Sequence, residues 1–140
     1  MSKQTLPSGR FVGRAEWFDE AGDKGGYDVV MSLRGGEEAF SVTVKHVFDN
    51  GDPDTDATFD MSFVASRLFS VSAGGHVVGK GYMVDGFCHY AMVFGENIVE
   101  TNLSWQGADL SVFGSATKNA AGRHIAWEEH LRPENSADDN

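Results

Sequence analysis

The amino-acid sequence predicts an all-β domain, an antiparallel up-and-down meander of about ten short strands closed into a small barrel. Turn signals rich in glycine, aspartate and asparagine recur about every ten residues along the 140-residue chain. Between the turns, apolar and polar residues mostly alternate, which is the period of a half-buried strand. The composition agrees, because 17 glycines against 3 prolines suit a chain with many tight turns. Barrel closure would remove the exposed edges of such a meander.

The first half of the chain shows the alternation most clearly. Its turns fall at residues 19–26, 34–36 and 49–56. Each run between them places apolar side chains on one face and polar side chains on the other, as expected of a strand with one face on a core. The predicted inward-facing residues are Phe11, Ala15 and Trp17, then Tyr27, Val29, Met31 and Leu33, then Phe40, Val42, Val44, His46 and Phe48, and then Phe59, Met61 and Phe63.

The second half alternates less cleanly. A short strand is predicted at Phe69 and Val71, and the two glycines within residues 77–84 predict a bend or a β-bulge. Residues 87–94 are apolar on both faces. Further strands are predicted where Val99, Leu103 and Trp105 share a face, and at residues 110–117.

The last segment, residues 123–131, fits either a strand or a helix. Ile125, Trp127 and Leu131 alternate with polar neighbours as in a strand, whereas the four-residue spacing of Trp127 and Leu131 also suits a helix. A strand is favoured because it would pair with the first strand and close the barrel. We therefore expect residues 1–132 to form one barrel domain and residues 133–140 to form a short, acidic, disordered tail.

The charge and the cysteine content narrow the classes of partner. A formal net charge of −10 and a pI of about 4.7 disfavour binding to nucleic acid or to anionic membranes. Cys88 is the single cysteine, so no intramolecular disulfide forms, and a reducing cytoplasm is the expected compartment. The N-terminal residues do not form the apolar segment of a signal peptide, and no run approaches the ~18 apolar residues of a membrane span.

The opening Gly9-Arg10-Phe11-Val12-Gly13 resembles the Gly-x-Trp motif that begins calycin barrels, with phenylalanine in place of tryptophan. Together with the strand pattern over residues 9–132, the chain resembles the calycin superfamily, which includes lipocalins, fatty-acid-binding proteins and nitrobindin-like barrels. This resemblance implies a barrel that holds a small molecule in its interior.

The chain also departs from each of these groups. Residues 19–26 are too few for the two helices of fatty-acid-binding proteins, and their C-terminal Arg-x-Tyr has no counterpart. Nitrobindin-like proteins bind haem through a histidine near the C-terminus. His130 holds a comparable place in the sequence but falls on the polar face of its strand, so no haem is predicted.

His46 and Tyr90 are the candidate catalytic residues. His46 lies among phenylalanine and valine on an apolar face, where a neutral imidazole in a pocket is suited to act as a general base. The alternative is a hydrogen-bonded histidine of the core or of the barrel end. Tyr90, like Tyr27 and Tyr82, offers an apolar ring with one polar hydroxyl, although ordinary core packing explains each equally well.

No metal ion or other cofactor is predicted. His124, Glu128 and His130 share one strand face, but they would need ligands from neighbouring strands to bind a metal, and a solvated face is the simpler interpretation. The acidic loop that starts at Asp52 lacks the glycine and glutamate of a calcium-binding EF-hand, since Ala57 and Phe63 occupy those positions. Cys88 and His89 are consecutive and point apart in a strand, so a buried structural cysteine is expected.

The function predicted from this architecture is binding of a small hydrophobic ligand in an apolar pocket inside the barrel. One alternative is a cofactor-independent isomerase, cyclase or lyase that uses a pocket histidine or tyrosine on a hydrophobic substrate. Another is a structural or partner-binding domain with a packed interior. The sequence does not predict an oligomeric state. The candidate ligand-binding residues are Trp17, Tyr27, Met31, Val44, Met61, Tyr82, Met92 and Trp127.

Overall fold

Ten antiparallel strands form a single closed barrel in the computed structural model, which describes residues 6–134. The strands are β1 Gly9–Asp19, β2 Lys24–Arg34, β3 Ala39–Phe48, β4 Thr55–Phe63, β5 Leu68–Ala73, β6 His76–Val84, β7 Phe87–Phe94, β8 Asn97–Gln106, β9 Asp109–Ala116 and β10 Ile125–Pro133. No α-helix occurs within this range, and none of the described residues belongs to a helix long and apolar enough to cross a membrane. The predicted all-β fold class is confirmed.

Each strand pairs with the next along the chain, and the last strand closes the barrel against the first. The β1–β10 pairing places Trp17 opposite Trp127 and Gly13 opposite Leu131. The segment that fitted either a strand or a helix is therefore a strand. Its backbone pairs with β1 on one side and with β9 on the other. A helix at this position would leave the facing edges of β1 and β9 without hydrogen-bonding partners.

The alternating residues of the first half face inward as predicted. Val29, Met31 and Leu33 of β2 are each at most 3% exposed. At the barrel end where β2 runs into β3 and β4 runs into β5, the rings of Phe40, Phe63 and Phe69 pack in an aromatic cluster with centroids 5.0–5.7 Å apart. Side chains therefore fill this end of the barrel.

The irregularity predicted for residues 77–84 is a shift in register between β5 and β6. Val71 pairs with Gly79 while Ser72 pairs with Val77, so Val78 is the extra residue of a β-bulge. Gly79 and Gly81 face the interior next to this bulge. A Cβ atom on either would run into a backbone carbonyl oxygen of β7, so these positions allow a closer approach of two strands than any larger residue would.

The tight hairpins use glycine where the backbone turns left-handed. Gly86 and Gly107 have φ angles of 73° and 66°, a conformation that side chains with a Cβ rarely adopt. At the C-terminus, β10 continues to Pro133, one residue beyond the predicted domain boundary. Residues 135–140 of the predicted acidic tail lie outside the described residues, as do residues 1–5.

Candidate ligand-binding site

A cavity of about 530 Å³ opens at the barrel end opposite the aromatic cluster. The β1–β2, β3–β4 and β9–β10 loops surround its mouth, and the strand ends beside those loops form its walls. The lining residues are Trp17, Asp19, Asp23, Tyr27, His46, Phe48, Asp52, Asn119, Ala120, Ala121, Arg123, Ile125, Trp127 and Glu129. The barrel interior is thus packed at one end and open at the other.

Two tryptophans form adjacent walls of the cavity. Trp17 and Trp127 are cross-strand partners, so their side chains project from neighbouring positions on β1 and β10. Each ring lies over a glycine of the flanking strand. A Cβ atom on Gly25 would lie 2.7 Å from Trp17 Nε1, and one on Gly114 would lie 3.0 Å from a ring carbon of Trp127. These glycines make room for flat aromatic surfaces inside the barrel.

A buried carboxyl group lies deeper in the cavity wall. Glu129 of β10 is only 2% exposed, although it lines the cavity. The hydroxyl of Tyr27 donates a 2.8 Å hydrogen bond to Glu129 Oε2, and His46 Nε2 lies 3.4 Å from the same oxygen. Among the described residues, Glu129 Oε1 has no hydrogen-bond partner. The carboxyl group is therefore satisfied on one oxygen and unsatisfied on the other.

The groups around Glu129 are held in defined orientations. The other ring nitrogen of His46, Nδ1, hydrogen-bonds with Thr55 Oγ1 at 3.1 Å, and the imidazole packs edge-on against the Tyr27 ring at 5.2 Å. Burial, followed by the charge of Glu129 and the hydrogen bond to it, raises the pKa of Tyr27 far above its ordinary value. Tyr27 therefore keeps its proton and acts as a hydrogen-bond donor.

Charged side chains tie the loops together at the cavity mouth. Arg123 Nη1 lies 3.1 Å from Asp23 Oδ2 and 3.6 Å from Asp19 Oδ2. Asp19 Oδ1 accepts hydrogen bonds from the backbone N–H groups of Ala21 and Asp23, and the Asp19 side chain is only 4% exposed. Glu20 accepts a 2.6 Å hydrogen bond from the backbone N–H of His124. These contacts hold the β1–β2 loop against the β9–β10 loop.

A solved structure shares this architecture. An S-type phycobiliprotein lyase, CPES, from Guillardia theta superposes with a TM-score of 0.72 over 91% of this chain and 88% of that chain, at 9% sequence identity. No family model matches the chain, and no curated protein matches it. The fold is that of a calycin-like barrel. The resemblance seen in the sequence is confirmed at the level of the fold.

Within this calycin-like barrel, four of the predicted site residues meet at the cavity, namely Trp17, Tyr27, His46 and Trp127. Four others face the interior but are buried in the packed core and do not line the cavity. These are Met31, Val44, Met61 and Met92. Their role in ligand binding stays a prediction that the cavity itself does not support.

The structure corrects the expected placement of Tyr82 and separates Tyr90 from His46. Tyr82 is 40% exposed on the outer face of β6, where its ring packs 5.3 Å from that of His89, so it cannot line the interior. Its strand neighbours Gly81 and Met83 take the inward positions. Tyr90 does face inward, but it is fully buried against Phe59 and Phe69, and burial raises its pKa above the ordinary value. It is not among the lining residues.

Glu129 is the main site residue that the sequence reasoning missed. It occurs two residues after Trp127 and two before Leu131, so the strand periodicity alone places it on their inward face. Arg123 and the two aspartates of the mouth gave no such signal. Asp19 ends β1 and Asp23 lies in the β1–β2 loop, whereas Arg123 lies about 100 residues further along the chain in the β9–β10 loop, and barrel closure alone brings them together.

The remaining candidates lie away from the cavity or are chemically inert. His124, Glu128 and His130 are exposed, and no group of three or more potential metal ligands occurs within residues 6–134. Cys88 is completely buried, and desolvation raises the pKa of its thiol to about 12, so it is not nucleophilic at neutral pH. His89 points outward, where its Nδ1 bonds with Asn102 at 2.8 Å.

Proposed function

We propose that this barrel binds a small, largely apolar molecule in the cavity between its loops. The observation that carries the proposal is the cavity of about 530 Å³ walled by Trp17, Phe48 and Trp127. Ligand sites commonly enclose roughly 300–1,000 Å³ and combine aromatic walls with a few placed polar groups. Tyr27, His46 and Glu129 are such polar groups, and they line the same cavity as these aromatic rings.

The neighbouring structure supports the proposal at the level of architecture. A barrel of the same design forms a protein named as a phycobiliprotein lyase. At 9% identity the likeness concerns the fold, so the chemistry of the ligand is argued from the cavity of this chain alone.

We expect the neutral hydrophobic dye Nile red to bind in the cavity and Trp127→Ala to weaken its binding about tenfold or more, because a buried aromatic wall is lost. Fluorescence titration gives the dissociation constant, and native mass spectrometry of freshly purified protein shows any ligand that was retained. Trp105→Ala is the matched control, because Trp105 is half-buried in β8 and does not line the cavity. If both variants weaken the dye equally, or if the dye does not bind, the proposal is wrong.

A second candidate function is acid–base catalysis without a cofactor, as in an isomerase, a cyclase or a lyase. One arrangement favours it. His46 is 26% exposed toward the cavity, while Glu129 and Thr55 face its two ring nitrogens at 3.4 Å and 3.1 Å. A histidine that donates from Nε2 to a carboxylate has its basic lone pair on Nδ1, and this nitrogen can take up a substrate proton when the Thr55 hydroxyl gives way. Tyr27, and not the predicted catalytic residue Tyr90, is the tyrosine that lies beside His46 in this cavity.

If the barrel catalyses a reaction, His46→Gln should lower kcat by about 100-fold while KM changes little, since the amide keeps the size of the side chain but cannot take up a proton. The assay follows the conversion of compounds that displace Nile red. His89→Gln is the control, because His89 lies on the outer face of the barrel. An unchanged kcat in His46→Gln would remove this residue from any mechanism.

A further inference from the structure

The unsatisfied oxygen of Glu129 carries information about the ligand. An isolated carboxylate is costly to bury, and the cost falls only when donors or a positive charge pair with it. The polar groups near Glu129 do not pair with Oε1. The Tyr27 hydroxyl and His46 Nε2 both face the other oxygen, Oε2, and His46 Nδ1 hydrogen-bonds with Thr55. Oε1 is left without a partner among the described residues, and Glu129 is one of the residues that line the cavity.

We propose that Glu129 Oε1 accepts a charge-assisted hydrogen bond from the ligand, and that the ligand is an aromatic or apolar molecule bearing a protonated nitrogen. This inference rests on the proposed binding function and specifies the chemistry of its ligand. An ammonium group supplies a positively charged donor for the oxygen that has no partner. The apolar body of the molecule then lies against the tryptophan walls.

The charges that line the cavity favour a positively charged ligand over a negatively charged one. The lining contains four carboxylates, Asp19, Asp23, Asp52 and Glu129, against the single guanidinium of Arg123, which is a formal charge of −3 when His46 is neutral. That guanidinium is already paired with Asp19 and Asp23. The net charge of −10 adds a long-range attraction for cations. The faces of Trp17 and Trp127 also attract cations through their π electrons.

The same arrangement disfavours a ligand with a carboxylate. A fatty acid that entered head first would bring its negative charge next to Glu129, and Arg123 is held at the mouth by two aspartates. Like charges in a poorly solvated space repel strongly. The selectivity of this cavity is therefore the opposite of that expected for a site that binds carboxylates through arginine.

Three naphthalene compounds of similar size test the inference in the unmodified protein. These are 1-naphthylmethylamine, which is protonated at neutral pH, the neutral 1-naphthalenemethanol, and the anion 1-naphthoate. Isothermal titration calorimetry, with Nile red competition as a second measurement, gives their affinities. We expect the ammonium compound to bind about 10- to 100-fold more tightly than the alcohol, and naphthoate to bind most weakly.

The variant Glu129→Gln removes the charge but keeps an oxygen that accepts the Tyr27 hydrogen bond. It should abolish the preference for the ammonium compound over the alcohol. Glu128→Gln is the matched control, because it makes the same change one residue away on the exposed outer face of β10. This control should keep the full preference for the cation.

The outcomes separate this inference from the binding function on which it rests. If Nile red binds but the ammonium compound has no advantage over the alcohol and naphthoate, the inference is wrong and the binding function stands. If Glu129→Gln keeps the cation preference, Glu129 is not the recognition group and the inference is equally wrong. If neither Nile red nor any naphthalene compound binds, the binding function itself fails.

Discussion

Raising the pH from about 9 to 11 should remove about 5 kcal/mol of stability from this barrel. Three acidic groups of the interior, Tyr27, Cys88 and Tyr90, have pKa values raised by burial, that of Cys88 to about 12. In the unfolded chain the thiol loses its proton above about pH 9 and the phenols above about pH 10. The folded state keeps these protons, so each raised pKa contributes stability that is complete below the unfolded pKa and declines as the pH rises above it.

Urea denaturation at a series of pH values, followed by tryptophan fluorescence, measures this loss. Cys88→Ala combined with Tyr90→Phe removes two of the three groups and should flatten the dependence of the free energy of unfolding on pH. The control is Tyr82→Phe, which changes a tyrosine that is 40% exposed on the outer face and should keep the wild-type dependence. A barrel whose free energy of unfolding is constant up to pH 11 would contradict the assignment.

Gly81→Val should lower the free energy of unfolding by about 3 kcal/mol. A Cβ atom at this position would run into the backbone oxygen of His89 and would lie 2.7 Å from both Phe69 Cζ and Tyr90 Cβ. Phe69 and Tyr90 are at most 2% exposed and belong to the packed interior, so neither has free space to move into. The substitution must therefore separate β6 from β7 or displace the aromatic cluster.

Chemical denaturation of Lys80→Val provides the comparison. Lys80 is the adjacent residue of the same strand, and its side chain is exposed, so the same new side chain should change stability by no more than about 0.5 kcal/mol. Equal effects of the two substitutions would show that the close approach of β6 and β7 at Gly81 is not as described.

The sequence predicted the fold well because, wherever the inward positions carry apolar side chains, the alternation shows which residues of a strand face the interior. Residues 40–48 are the clearest case, and His46 was correctly placed on the inner face on that basis. The same reasoning failed for Tyr82. Its inward neighbours include Gly79 and Gly81, which have no side chain to reveal the phase, and the adjacent β-bulge shifts the register.

The candidate site was predictable only in part. Trp17, Tyr27, His46 and Trp127 were found because each belongs to an apolar face of a strand. Glu129 was not singled out, because a charged residue does not by itself indicate a buried position; its hydrogen bond with Tyr27 explains how it is accommodated there. The contacts of Arg123 depend on barrel closure, which brings together segments that are remote in the chain. The local alternation of apolar and polar residues does not predict such long-range contacts.

The aromatic cluster and the cavity lie at opposite ends of the barrel, and this separation has an evolutionary consequence. The residues that we propose to recognise the ligand occupy one end of the barrel, while the aromatic cluster fills the other. Mutations in the β1–β2, β3–β4 and β9–β10 loops can therefore accumulate without disrupting the side-chain packing at the end of the barrel that holds the aromatic cluster. Such a scaffold is well suited to acquire new specificities, and a library confined to these three loops should yield a high fraction of folded members.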